Sequence, residues 1–137
     1  FIVGFPGESD QSVLDSLNMA RKLNRIHPGF TTPIFFFKPY PGSKITQDVV
    51  AQGYQLPQTI EEWADFDYIG SSGPWVSPEK YEMVERFKFY NKVAGRRRTW
   101  YTAPLQWLAG LRCDALFFKW PIEKQVTEWL LPQQQLS

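Results

Sequence analysis

The 137 residues are enough for one modest domain, and a hydrophobic content of 43% supplies a core. With 17% aromatic and 21% charged residues the chain is not of the disordered class, and a formal net charge of +1 argues against a strongly polyanionic partner for the chain as a whole. The single cysteine, Cys113, excludes an internal disulfide and suits a reducing compartment, and no apolar run is long enough to span a bilayer.

The first residues, Phe1-Ile2-Val3-Gly4-Phe5-Pro6-Gly7-Glu8-Ser9, read as a strand entered part-way, with no initiator methionine, and lead to the expectation of a C-terminal piece of a larger protein. A strand that runs into glycines and then a helix N-terminus suits a ligand that must approach the backbone closely. Ser9 is placed to cap the first helix, whose apolar stripe Val13, Leu17 and Ala20, with Leu14 and Leu23 beside it, stops at His27-Pro28-Gly29. Thr31 to Phe37 follows as a strand. Its continuous run Ile34-Phe35-Phe36-Phe37 suits cover on both faces, and Pro33 is tolerable near its start. Pro39-Tyr40-Pro41-Gly42-Ser43 then opens a short helix through Ile45 and Val49 that Gly53 stops.

Beyond Gly53 the character changes, and all six tryptophans lie there. Thr59-Ile60-Glu61-Glu62 has the form of a capping box for a short helix reaching Trp63, and residues 65–74 read as a loop-rich crossing. Ser77-Pro78-Glu79 starts the strongest helix, with Met83, Phe87, Tyr90 and Ala94 as its core stripe and Gly95 as its end. Two more helices are expected, about Pro104 to Cys113 and Pro121 to Leu131. The organisation expected is α/β: a first region, 1–55, of β/α units in a parallel sheet, and a helical, aromatic-rich extension, 56–137.

The two loops after the strands, Gly4-Phe5-Pro6-Gly7-Glu8 and Pro39-Tyr40-Pro41-Gly42-Ser43, lie one β/α/β unit apart and should share the face beyond the strand ends. Either they contact a ligand or they are simply tight connections. Together with the aromatic strand between them, these motifs closely resemble the late barrel strands of radical SAM enzymes. More narrowly they are similar to the subgroup whose larger chains carry an N-terminal cobalamin-binding domain. Trp63-Ala64-Asp65-Phe66-Asp67-Tyr68 and the helix from Ser77 to Ala94 also resemble that subgroup, so that the likeness covers residues 1 to about 95.

The resemblance implies the C-terminal β/α units of a partial (β/α) barrel, S-adenosylmethionine and a [4Fe-4S] cluster as cofactors, and cobalamin held by an N-terminal domain. It implies methyl transfer to an unactivated carbon, or a related radical rearrangement or cyclisation, in the cytoplasm. Ile2, Val3 and Gly4 would lie near the adenine, Gly7 and Glu8 would shape the following turn, and Pro39 and Tyr40 would border the same cavity. Glu8 serves equally well as a first-turn carboxylate favoured by the helix dipole, touching no ligand.

The chain departs from the family in one respect that decides its competence. A radical SAM cluster needs three closely spaced thiolates, and one cysteine cannot supply them. Cys113 reads as a packed residue and His27, the only histidine, as a structural one. No catalytic metal site can therefore be built from this chain, which is expected to be inactive alone and to need the N-terminal remainder of its parent protein as partner. The many aromatics suit an apolar small-molecule substrate.

The C-terminal third interleaves Arg96, Arg97, Arg98, Arg112, Lys119 and Lys124 with Trp100, Tyr101, Trp107, Phe117, Phe118 and Trp120. A stripe of Ile122, Val126, Trp129 and Leu130 packing on the rest is one reading. The rival is a helical module held peripherally at an anionic membrane through residues 96–131. No recognisable nucleic-acid module accompanies these residues, so nucleic acid is not an expected partner.

Overall fold

The computed structural model describes residues 1–27, 30–66, 72–95 and 102–118. The element order is β1 (Ile2–Val3), α1 (Asp10–Ile26), β2 (Phe35–Phe36), α2 (Lys44–Ala51), α3 (Ile60–Ala64), α4 (Pro78–Ala94) and α5 (Ala103–Ala115). The chain divides into two compact units, one of Phe1–Ser16 with Pro33–Tyr81 and one of Leu17–Thr32 with Glu82–Ser137.

Among the described residues the expected partial barrel is not present. The described residues are 57% helix and 4% strand, and their one sheet has two strands. Those strands are parallel, with Ile2 opposite Phe35 and Val3 opposite Phe36. Local chemistry keeps the ladder short. Gly4 turns to φ +75 and ends β1. Pro33 and Pro39, on either side of β2, have no N–H to extend the pairing. A closed barrel needs many staggered strands, and two strands of two residues cannot begin one.

The cover on β2 is also not what a continuous apolar run predicts. Ile34 and Phe36 are buried, whereas Phe35 and Phe37 are only partly so. Period-two alternation has reasserted itself, because each strand residue points away from the next. Phe37 finds neighbours in Phe5, at 4.8 Å between ring centroids, and Trp75, at 6.1 Å. In the same unit, Phe36 stacks on Tyr81 at 5.0 Å.

Helix boundaries follow the expected caps closely. Ser9 Oγ accepts from Ser12 N, Ser43 Oγ from Thr46 N and Ser77 Oγ from Lys80 N. At α3, Thr59 Oγ1 accepts from Glu62 N at 3.2 Å. The reciprocal bond is shifted by one residue: Glu62 Oε2 takes the N–H of Gln58, at 2.6 Å, rather than that of Thr59. Gly53, at φ +97, ends α2 as expected. The predicted stripe of α1, Val13, Leu17 and Ala20, is fully buried.

In the second unit, α4 buries Phe87 and Tyr90 as expected. Val84, Asn91 and Val93 are buried too, while Met83 and Ala94 stay partly open. Phe118 caps this cluster, edge-on to Phe87 at 6.3 Å and stacked on Tyr90 at 5.8 Å. Asn91 Nδ2 donates to Thr32 Oγ1 at 3.2 Å. The expected helix from Pro121 to Leu131 and the run Arg96-Arg97-Arg98 lie outside the described residues.

The Tyr90 hydroxyl is buried with no hydrogen-bond partner among the described residues, and burial raises its pKa. A buried donor left unmade costs about 1–3 kcal/mol. Tyr90→Phe keeps the stacked ring and is expected to raise the unfolding free energy by about 1 kcal/mol in a urea titration. A drop of similar size would instead show that the hydroxyl is bonded.

Candidate functional site

The loop that follows β1 is closed by its own polar groups. Gly4 N and Phe5 N both donate to Glu8 Oε2, at 2.5 and 3.2 Å, and Ser12 Oγ donates to Glu8 Oε1 at 2.9 Å. Glu8 N returns a bond to Phe5 O at 3.0 Å, so the segment is a tight turn wrapped around one carboxylate. Charge-assisted acceptance of two backbone N–H groups is the strong form of such a bond.

Residues far along the chain complete the loop. Trp75 Nε1 donates to Gly4 O at 2.8 Å. Lys80 Nζ donates to Glu8 O at 3.0 Å and pairs with Asp10 at 2.8 Å. Gly4 itself is held at a left-handed φ in a crowded place. A Cβ there would lie 2.9 Å from Val76 Cγ2 and 3.0 Å from Phe36 Cδ1. Gly7 has a similar φ, +74, but nothing within 4 Å of its would-be Cβ.

The other expected site residues stand as follows. Ile2 is 55% exposed, Val3 is fully buried and Pro39 is buried. Tyr40 belongs to a separate aromatic group, stacked on Trp63 at 6.1 Å and edge-on to Phe66 at 5.7 Å. Lys38 Nζ lies 4.9 Å from the centre of the Phe66 ring. Thus Gly4 and Glu8 are brought together by hydrogen bonds, while Tyr40 joins residues of the α3 segment.

Two open cavities lie in this same unit. The larger, of about 920 Å³, is bordered by Val50, Tyr54, Leu56, Pro57 and Phe66, with Glu62 and glutamine amides also on it. The smaller, of about 380 Å³, is bordered by Pro6, Val49, Tyr54, Pro74 and Trp75. They share Gly53, Tyr54 and Gln55, so one end meets the glycine loop at Pro6 and the other meets the aromatic group at Phe66. The lining mixes apolar side chains with Gln52, Gln55, Gln58 and Glu62, and both cavities are open to solvent. Tyr54, Trp75 and Lys80 were not expected here. Trp75 follows Gly73-Pro74 in what reads as plain loop, and nothing local signals its reach to Gly4.

Among the described residues no group of three His, Cys, Asp or Glu is placed to hold a metal ion. Cys113 is fully buried on α5, and burial pushes its thiol up to about 12. A cluster does not fit this chain: one inert thiol stands where three thiolates would be required. Among the described residues no helix is long and apolar enough to cross a membrane. Comparison with family models, with curated proteins and with solved structures finds no match to this chain.

Two measurements check this geometry. Gly7→Ala should cost about 1 kcal/mol, the ordinary price of a left-handed φ. Gly4→Ala adds a clash with Val76 and Phe36 and should cost about 3 kcal/mol. Equal losses in denaturant titrations would show that the crowding at Gly4 is relieved.

For Cys113, the folded thiol ionises near 12 against an ordinary 9.0. Its contribution to stability is therefore complete below pH 9 and is lost as pH rises from 9 towards 12. The slope is up to about 1.4 kcal/mol per pH unit. Cys113→Ala is expected to flatten that limb of the pH–stability curve, and an unchanged slope would show that the thiol is reached by water.

Proposed function

We propose that this chain is part of a cytoplasmic radical SAM enzyme of the cobalamin-using subgroup and forms one side of its S-adenosylmethionine cavity. The observation that carries this reading is the pairing of two loop motifs with one parallel β–α–β connection. Gly4-Phe5-Pro6-Gly7-Glu8 leaves β1 through a glycine at φ +75, and Pro39-Tyr40-Pro41-Gly42-Ser43 leaves β2 into the capped helix α2. The cluster ligands belong outside these 137 residues, since one cysteine cannot provide them. No residue of this chain is assigned to cobalamin.

For S-adenosylmethionine the expected residues offer separate pieces of surface rather than a pocket, and none of them borders the two cavities. Ile2 and Tyr40 offer exposed apolar area, and Gly7 offers backbone with no side chain in the way. Val3, the N–H groups of Gly4 and Phe5, and the carbonyl of Gly4 are already engaged. Their part is to hold the turn rigid beneath a ligand. Glu8 is thus a positioning residue, its two oxygens spent on Gly4, Phe5 and Ser12. When bound, S-adenosylmethionine would supply radical chemistry at a substrate carbon, its reducing electron coming from the cluster held outside these residues. The side chains of Val50, Tyr54, Leu56, Pro57 and Phe66 on the larger cavity suit an apolar small-molecule substrate, and methyl transfer or a related radical reaction at unactivated carbon is what the resemblance implies.

The test is to sequence the reading frame upstream of the Phe1 codon in its source. The expected result is a continuous frame that encodes a Cys-x-x-x-Cys-x-x-Cys loop, and a frame that stops or lacks it overturns the proposal. In the protein so defined, Ile2→Glu should weaken S-adenosylmethionine binding about tenfold by equilibrium dialysis, because a charge replaces apolar contact area.

A further inference from the structure

Helix α5 carries apolar residues on two opposite faces, and among the described residues only one of them is buried. Gln106, Ala109, Gly110 and Cys113, at helical spacing, are buried. Pro104, Trp107, Leu108, Leu111 and Ala115 form the opposite stripe and are exposed, Trp107 by 61% and Leu111 by 45%. Phe117, just past the helix, is 54% exposed. Contiguous exposed side chains of this kind mark an interaction surface, whereas a single exposed leucine would need no explanation.

Charge decides what that surface meets. The net charge of +1 conceals a division between the two units. The first unit has three Lys and Arg against nine Asp and Glu, a formal −6, and the second has twelve against five, a formal +7. The one carboxylate on α5, Asp114, is already neutralised by Arg21 at 2.8 Å and Arg25 at 3.6 Å. Arg21 also crosses Gly110 closely enough that a Cβ there would lie 2.8 Å from its Nη2. Arg96-Arg97-Arg98 lies four residues before α5 in sequence, and Lys119 comes four residues after its end.

We propose that the second unit docks on an anionic lipid surface, with Trp107, Leu108, Leu111 and Phe117 entering the interface and the unit's net positive charge supplying the attraction to the headgroups. Apolar side chains at a helix face together with clustered positive charge are the two components of reversible membrane attachment. Tryptophan suits the boundary between headgroup and acyl chain. No recognisable nucleic-acid-binding module accompanies these residues, which disfavours nucleic acid. A second copy of this chain meeting face to face would bring two units of charge +7 together, which disfavours self-association. The inference does not depend on the reading of the glycine loop.

The experiment is co-sedimentation of the whole chain, its fold checked by circular dichroism, with vesicles of phosphatidylcholine alone or of equimolar phosphatidylcholine and phosphatidylglycerol. Binding to the anionic vesicles only, weakened by salt, is expected. The double variant Trp107→Ala, Leu111→Ala removes exposed side chains and should lower partitioning at least about tenfold. Charge reversal at Arg96, Arg97 and Arg98 to Glu should lower it on the order of a hundredfold. Tryptophan emission should shift to the blue on anionic vesicles in the parent chain and less so in Trp107→Phe. Absence of binding by the folded chain, equal binding to both vesicle types, or indifference to the double variant overturns the proposal. So does tighter capture of a single-stranded oligonucleotide or of polyglutamate.

Discussion

The first unit depends on a glycine at position 4. There the chain must leave β1 in a left-handed conformation while passing within contact distance of Val76 and Phe36. Any side chain would meet two obstacles, one torsional and one steric. Once the backbone is so placed, its donors and acceptors cannot be left bare, and they are met from two directions. Glu8 folds back from the next turn, and Trp75 reaches Gly4 from 71 residues away in sequence. Lys80 then joins the carbonyl of Glu8 to the carboxylate of Asp10. A single turn thereby ties the N-terminal strand to the segment that opens α4, and it presents Pro6 to the smaller cavity.

The proposed cofactor surface and the proposed lipid surface draw on different physics. Around the glycine loop the polar groups are paired and local, and rigidity is the useful property. On α5 the exposed side chains are mainly apolar, and long-range charge would supply the attraction. An almost neutral whole is compatible with both because the acidic and basic residues are divided between the units. Net charge summed over the chain hides that division.

Much of the helical structure was legible from short stretches of sequence. Ser9, Ser43, Thr59 and Ser77 announce helix starts because a side-chain oxygen satisfies an N–H two or three residues on, within a single turn. Gly53 announces a stop, since a left-handed residue is cheap only for glycine. The stripe of α1 was equally plain. The sheet was misjudged for a corresponding reason. Strand pairing depends on partners remote in sequence, and the aromatic run at 34–37 looked like an interior strand although prolines on either side limit its ladder.

At the candidate site the residue types of the two loops were readable, and their partners were not. Sequence by itself determined the turns, the caps, the absence of a three-thiolate cluster and the position of the aromatic and basic residues along the chain. Tertiary structure decided that Glu8 spends its carboxylate on the loop, that Trp75 and Lys80 close it, that Tyr40 stacks on Trp63, and that Trp107 faces outward while Gln106 is buried. The division has a physical reason. Torsions and caps are settled within a turn of chain, whereas burial and long-range hydrogen bonds depend on which distant surfaces meet, and no local pattern carries that information.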